Sequence, residues 1–183
     1  KGKEHVFIYN SDDENIEYGL KHFYNGNQDL MFPLSMKDLV QESETLCVPH
    51  TDFKISKHQL SLKGRHNQFN IQCAVLAARQ LNVSNEIIAK AIRSFENEAH
   101  RLESVITIND VEYINDSKAT NVDAVFFALE AMEKQVVWIV GGIDKGNDYR
   151  QLFPLVKEKV RAIVCLGKDN TSIQTAFKGV HEI

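Results

Sequence analysis

Strand and helix patterns alternate through the second half of this 183-residue chain, and few folds accommodate that order. Apolar and β-branched runs predict strands at 104–108, 111–115, 136–140 and 162–166. Apolar residues at helical spacing predict helices at about 121–133, 148–160 and 171–177. Such alternation is typical of a mainly parallel sheet with helices packed on its faces. We therefore predict an α/β fold for this part of the chain.

The first half of the chain gives a weaker pattern until Asn67, where the helical signal becomes clear. Apolar residues recur at helical spacing over 71–78 and again over 88–95, with a break at 82–84, which predicts a pair of helices. Upstream, we expect a helix at 14–23 and short strands at 6–9, 30–34 and 46–49, with one or two more between 53 and 62.

Composition excludes several classes of protein. Hydrophobic residues make up 43% of the chain and charged residues 25%, which is ordinary for a soluble globular protein. The net charge of -4 argues against a nucleic-acid or membrane-surface protein. No apolar run reaches the roughly 20 residues that a membrane span needs. Cys47, Cys73 and Cys165 are far apart in apolar stretches, as expected for buried free thiols of a cytoplasmic protein.

A seven-residue turn, Asn-Asp-Ser-Lys-Ala-Thr-Asn at 115–121, separates a predicted strand from a predicted helix. The free N–H groups and positive dipole of a helix N-terminus attract phosphate or carboxylate, and Lys118 adds a full charge. The turn is therefore a candidate anion site. A structural alternative is that Thr120 or Asn121 caps the helix while Asp116 and Lys118 form a solvated pair.

Two further strand-to-helix loops support an anion site. The loop at 141–146 begins with Gly141 and Gly142, which allow positive φ and close approach of a ligand, and it carries Lys145. A third loop lies at 167–169. Ligands of parallel sheets bind beyond the carboxyl ends of the strands, where these loops meet. Neither the dinucleotide fingerprint nor the P-loop spacing is present, and a simple strand-to-helix turn is the alternative.

A second polar group lies at the start of the first clear helix. Asn67 and Asn70 are three residues apart, so their carboxamides can share one face and contact a base edge or a sugar. Alternatively, Asn67 caps the helix and Asn70 is solvated. Arg101 follows the helix pair and could present a forked cation to a phosphate. His66 has no second ligand at metal-site spacing, so we predict no metal site here.

Four motifs occur in a recognisable order: Gly-x-His-Asn-x-x-Asn at 64–70, His-Arg-x-Glu at 100–103, the turn at 115–121, and Gly-Gly-x-x-Lys at 141–145. This set resembles the Mur ligases, over essentially the whole chain and most weakly before Gly64. The turn is most similar to the version in the family members that add D-glutamate.

The resemblance implies a ligase with an N-terminal domain for a UDP-sugar, a central ATPase domain and a C-terminal Rossmann-like domain for the incoming amino acid. Residues 1–99 would be the later part of the mononucleotide-binding central domain. Residues 100–183 would be a truncated C-terminal domain with a mainly parallel sheet. Because Lys1 is not Met and the last residues resemble the start of a strand, we expect a fragment of a longer protein.

The resemblance also implies a reaction. ATP would phosphorylate the carboxylate of UDP-N-acetylmuramoyl-L-alanine, and the D-glutamate amine would attack the acyl phosphate to form an amide of a peptidoglycan precursor. Five residues would contact ATP: Asn67 and Asn70 on the adenine side, and Arg101, Asp116 and Lys118 at the ribose and phosphates. Two would hold the carboxylates of D-glutamate: Thr120 and Lys145.

Departures from the family pattern limit these expectations. The chain has no P-loop, and the Mg²⁺ ligands and catalytic residues are expected upstream of Lys1, so we predict that the chain alone is inactive. The usual Phe-x-Gly-Leu-x-His-Arg run appears at 95–101 with Asn97 and Glu98 in place of Gly and Leu. We expect a monomer acting on small molecules in cell-wall synthesis. The alternatives are a non-catalytic anion-binding module and a folylpolyglutamate synthase-like ligase.

Overall fold

The computed structural model describes residues 5–39, 43–143 and 146–180 and divides the chain into two compact units. The first unit is Lys1–Glu96 and the second is Asn97–Ile183. None of the helices in these described ranges is long and apolar enough to cross a membrane. The assignment of residues 1–99 and 100–183 to two parts of a ligase stays a prediction.

The described residues of the first unit form three helices and two strand pairs. Its elements are β1 (Phe7–Asn10), α1 (Glu14–Phe23), β2 (Met31–Leu34), β3 (Thr45–Cys47), β4 (Lys54–Ser56), α2 (Arg65–Gln80) and α3 (Asn85–Ser94). β1 pairs with β2 in parallel, and β3 pairs with β4 antiparallel. α1 starts at the predicted residue because the Asp13 side chain caps it. Asp13 Oδ1 accepts hydrogen bonds from the backbone N–H groups of Asn15, at 2.8 Å, and of Ile16.

The core of the first unit forms where one face of the helix pair meets inward-facing strand residues. Val75 and Leu76 of α2 and Ile88 of α3 are buried with Leu46 of β3 and Ile55 of β4. The helical spacing predicted part of this face correctly, since Val75 and Ile88 are buried as expected. It was wrong for Ala74, Ala91 and Phe95, which are exposed, and it did not include Leu76. β1 is less buried than its apolar sequence suggests, since the side chain of Phe7 is 40% exposed.

The second unit carries the predicted alternation of strands and helices. Its elements are β5 (Glu103–Ile108), β6 (Val111–Asn115), α4 (Val122–Glu130), β7 (Val136–Gly141), α5 (Phe153–Lys159), β8 (Val160–Leu166) and α6 (Thr171–Phe177). β7 pairs with β8 in parallel through the crossover of α5. β5 and β6 are the two predicted strands joined by a turn, and they form an antiparallel hairpin in which Asn109 and Asp110 adopt the positive φ angles, 49° and 62°, of a tight two-residue turn. This pair departs from the mainly parallel sheet that the alternation predicted.

Two details of the second unit differ from the sequence prediction. α5 begins at Phe153 and not near 148, because residues 150–152 form a 3₁₀ turn and the Asp148 side chain accepts the Arg150 N–H at 3.0 Å. Helices were also expected on both faces of the sheet. Within the described residues only one face is covered, since Val137 and Ile139 on the opposite face of β7 remain 56% and 63% exposed.

Aromatic packing centres the core of the second unit on Phe177, whose side chain is fully buried. Its ring meets those of Trp138, Tyr149 and Phe153 edge-on, with centroids 5.7, 5.7 and 5.5 Å away. Edge-to-face pairs at these distances add attraction beyond the burial of area. α6 is thereby fixed against β7, which positions the loops that follow the strands.

The three cysteines are free thiols, as predicted. Their expected burial is wrong for Cys47, which is exposed, while Cys73 and Cys165 are half-buried. The reason is strand alternation: Leu46 points into the core, so its neighbour Cys47 at the end of β3 points outward. Burial raises the pKa of the Cys73 thiol.

Candidate functional site: a charged turn and a small cavity

The turn at 115–121 connects β6 to α4, and its last residue, Asn121, caps the helix. Asn121 Oδ1 accepts a hydrogen bond from Ala124 N at 2.8 Å, so the capping interpretation is correct for Asn121. Within the turn, Ala119 N donates to Asp116 O and Thr120 N donates to Lys118 O, both at 2.9 Å. These bonds give the turn a defined shape and leave the Thr120 side chain at an exposed position.

The turn is tied to the loop that precedes β5. Leu102 N donates to Asp116 Oδ1 at 3.1 Å, and Lys118 N donates to His100 O at 3.1 Å. The side chains of Asn115 and His100 are also hydrogen-bonded, with 2.8 Å between Nδ2 and Nδ1. Arg101, whose place in the fold the sequence alone did not give, is therefore held beside the turn.

The charges next to the turn form a cluster of Glu98, Arg101 and Lys118, which we call the charge cluster. Lys118 Nζ lies 2.5 Å from Glu98 Oε1, and Arg101 Nε lies 3.4 Å from Glu98 Oε2. Lys118 thus has a different carboxylate partner from the one that the solvated-pair interpretation named. The hydrogen bond and charge of Lys118, with a smaller contribution from Arg101, lower the pKa of the Glu98 carboxyl.

A small cavity opens at the other end of the turn. Its volume is about 100 Å³, and it is lined by residues of all three strand-to-helix loops, among them Thr120, Gly141, Gly142, Asp169 and Asn170. A space this size is smaller than a nucleotide pocket and suits a single small group such as a carboxylate. The parallel strands β7 and β8 end here, which is the edge where ligands of such sheets bind.

Gly141 is required by the close approach of β7 and β8. A Cβ atom on this residue would lie 1.6 Å from Leu166 O, which is backbone and cannot move aside without separating the strands. Gly142, the next residue, has a φ of 126°, which only glycine adopts readily. The glycines therefore set the shape of the strand end beside the cavity.

We expect Gly141→Ala to lower the free energy of unfolding by about 1–3 kcal/mol, the usual cost of forcing an added methyl group into a packed site. Gly19→Ala is the matched control, because nothing lies within 4 Å of a Cβ atom on this glycine in α1. The control should stabilise the chain by about 0.5–1 kcal/mol. Urea denaturation followed by circular dichroism measures both, and equal effects would contradict the strand contact.

The remaining candidate residues are placed differently. Lys145 lies outside the described residues, so the structure gives no geometry for it. Asn67 is the third residue of α2 and is buried, and its Nδ2 donates to Lys63 O at 2.7 Å. It is not the helix cap, because α2 starts after Gly64, whose φ is 92°. Asn70 is exposed, so the two carboxamides do not present an equivalent pair of donors.

Glu98 was not predicted as a partner of the two cations, and in the sequence it stands out only as a departure from the family motif. An acid three positions before Arg101 was a weak signal for an ion pair. The third loop was identified, but the positions of Asp169 and Asn170 in the lining of the cavity were not predicted. Among the described residues, no group of three or more His, Cys, Asp or Glu side chains could hold a metal ion.

The chain is similar in sequence to a known domain family and to named relatives. Residues 100–182 match the domain family described as Mur ligase, glutamate ligase domain. A UDP-N-acetylmuramoylalanine–D-glutamate ligase of Christiangramia forsetii is 43% identical over 97% of this chain. A relative of the same name from Salinibacter ruber is 46% identical over 70% of the chain. The chain spans only 41% and 28% of the lengths of these two relatives.

The fold of the chain is also similar to that of a solved structure. The crystal structure of MurF from Acinetobacter baumannii superposes with a TM-score of 0.62 over 96% of this chain and 41% of that one. The two sequences are 18% identical, so the similarity supports the α/β architecture and no more.

Proposed function

The chain belongs to the Mur ligase family, and on that basis we propose that it is part of an ATP-dependent ligase that adds D-glutamate to UDP-N-acetylmuramoyl-L-alanine. The observation that carries the proposal is the 43% identity, over 97% of the chain, to a ligase named for this reaction. The amide formed would extend a peptidoglycan precursor, which links the protein to cell-wall synthesis, cell shape and cell division. We propose a cytoplasmic monomer.

The charge cluster supports a role in ATP binding. Arg101 and Lys118 are cations whose side chains are 56% and 39% exposed, so a phosphate can reach them. Phosphate transfer depends on positioned cations that stabilise charge on the phosphoryl oxygens, and these two residues fit that need. Asp116, held by the Leu102 N–H, would accept from the ribose. The proposal that Asn67 and Asn70 contact adenine rests on the family resemblance alone.

The small cavity supports a role in binding the amino acid. Thr120 can donate its hydroxyl proton to a carboxylate, and the positive end of the α4 helix dipole lies beside it. Lys145 would supply the second cation for D-glutamate. Holding the amino acid fixed raises the rate by positioning its amine for attack.

Mg²⁺ would accompany ATP, and the family resemblance implies that its ligands and the catalytic residues lie outside this chain. On that resemblance we propose that this chain alone forms no amide. Its two regions would be the later part of the ATPase domain, residues 1–99, and the amino-acid domain, residues 100–183.

The direct test is an assay of the full-length protein with ATP, Mg²⁺ and UDP-N-acetylmuramoyl-L-alanine. We expect ADP release that depends on D-glutamate, together with a product whose mass has increased by one glutamyl residue. L-glutamate serves as the control, since its carboxylates and amine are the same but their arrangement is mirrored. ADP release that does not depend on D-glutamate would contradict the assignment of D-glutamate as a substrate.

A further inference from the structure

One carboxylate pairs with both cations of the charge cluster. Glu98 Oε1 lies 2.5 Å from Lys118 Nζ, while Oε2 lies 3.4 Å from Arg101 Nε. The two carboxylate oxygens therefore pair with different cations, as the oxygens of a bridging phosphate group would. The pKa of Glu98 is lowered by these contacts, so the carboxylate is ionised at neutral pH.

The side chain of Asn97 bridges the backbone of Glu98 and Arg101. Asn97 Oδ1 accepts the Glu98 N–H at 3.1 Å, and Asn97 Nδ2 donates to Arg101 O. His100 and Leu102 have φ angles of 67° and 43°, a region that is costly for residues other than glycine. A strained loop persists only where its surroundings fix it, here through its bonds to the turn.

The cluster is nevertheless open to exchange. The side chain of Glu98 is 63% exposed, and exposed ion pairs contribute little to stability. A ligand with several negative charges can therefore replace a single carboxylate at these cations without disrupting the fold.

We propose that the Glu98 carboxylate is a resident anion of the ATP site, which the phosphates of ATP displace from Lys118 and Arg101 when they bind. This inference rests on the proposed function, which assigns those two cations to ATP. Glu98 is then a residue that sets the affinity for ATP by competing for the cations, although it contacts no substrate itself.

The test is the dissociation constant of Mg-ATP measured by calorimetry on the full-length protein and its Glu98→Gln variant. Loss of the competing charge should tighten binding about threefold to tenfold, the effect expected from removing two exposed ion pairs. Glu98→Ala is a second variant with the same expectation. Adenosine, which has no phosphates, should bind all three proteins equally.

Glu103→Gln is the matched control, because Glu103 is a nearby carboxylate that accepts the His100 N–H and pairs with neither cation. It should leave the dissociation constant of Mg-ATP unchanged. Equal tightening by Glu103→Gln and Glu98→Gln would show a general charge effect and overturn the proposal, as would unchanged or weaker Mg-ATP binding in Glu98→Gln.

Lys118→Ala separates this inference from the proposed function. If Lys118→Ala weakens Mg-ATP binding while Glu98→Gln has no effect, the ATP assignment stands and the competition is wrong. If Lys118→Ala has no effect on Mg-ATP binding, Lys118 does not bind ATP, and the proposed competition between Glu98 and the phosphates is wrong as well. In the double variant Glu98→Gln/Lys118→Ala, the tightening seen with Glu98→Gln alone should largely disappear.

Discussion

Replacing Phe177 with alanine should lower the free energy of unfolding of the second unit by about 3–5 kcal/mol, the range for removing a fully buried phenylalanine. The ring is fully buried and meets three other aromatic rings within 5.7 Å of its centroid. Its loss removes all three edge-on contacts together and leaves a cavity beneath α6. A loss of this size is a large part of the 5–15 kcal/mol that stabilises a typical domain.

Trp138 makes the measurement specific to this unit. It is the only tryptophan in the chain and contacts Phe177, so its fluorescence during urea denaturation reports unfolding of the second unit. Ile143→Ala is the control, because this apolar side chain in the same unit is 90% exposed and should cost less than about 0.5 kcal/mol. Similar losses in the two variants would show that Phe177 does not centre the core.

Local sequence signals predicted the elements of this fold well. The predicted bounds of α1 and α6 match the observed helices, and α1 has a side-chain cap, Asp13, at its start. Asn121 was one of two predicted caps for α4 and is the cap observed. These features depend on neighbours within one helical turn, which is why the sequence contains enough information to find them.

The burial of strand faces and the arrangement of the strands were harder to predict. The run from Val136 to Val140 is continuously apolar, which is typical of a strand buried on both faces, yet within the described residues the face of Val137 and Ile139 is exposed. The turn between β5 and β6 was predicted, but the mainly parallel sheet was not confirmed for this pair, which is antiparallel. Burial of a face depends on what packs against it, which local sequence does not specify.

The candidate site, like the strand arrangement, could be predicted from the sequence only in part. The turn at 115–121 was identified because its residue types suit a helix N-terminus. The approach of Glu98 to Lys118 spans 20 positions in the chain and depends on the unusual backbone at His100 and Leu102. No periodic pattern encodes such a contact, so the partner of Lys118 becomes visible only in three dimensions.

In the full-length protein proposed above, we expect Lys118→Ala to raise the KM for ATP about tenfold to a hundredfold, because hydrogen bonds to charged groups contribute roughly 1.5–3 kcal/mol. The KM for D-glutamate should change little. The effect should fall on ATP because the ammonium of Lys118 lies in the charge cluster, while the residues that line the small cavity include Thr120 but not Lys118.

Lys145→Ala is the matched control, since it removes the same kind of charge from the loop that follows β7. We expect this variant to raise the KM for D-glutamate far more than the KM for ATP, the reverse of Lys118→Ala. Steady-state kinetics with each substrate varied in turn measure both effects. Circular dichroism should show that both variants fold, because the Lys118 ion pair is exposed and contributes little to stability. If both variants raised the same KM, one lysine would be wrongly assigned, and the separation of a phosphate region from an amino-acid region would have to be abandoned.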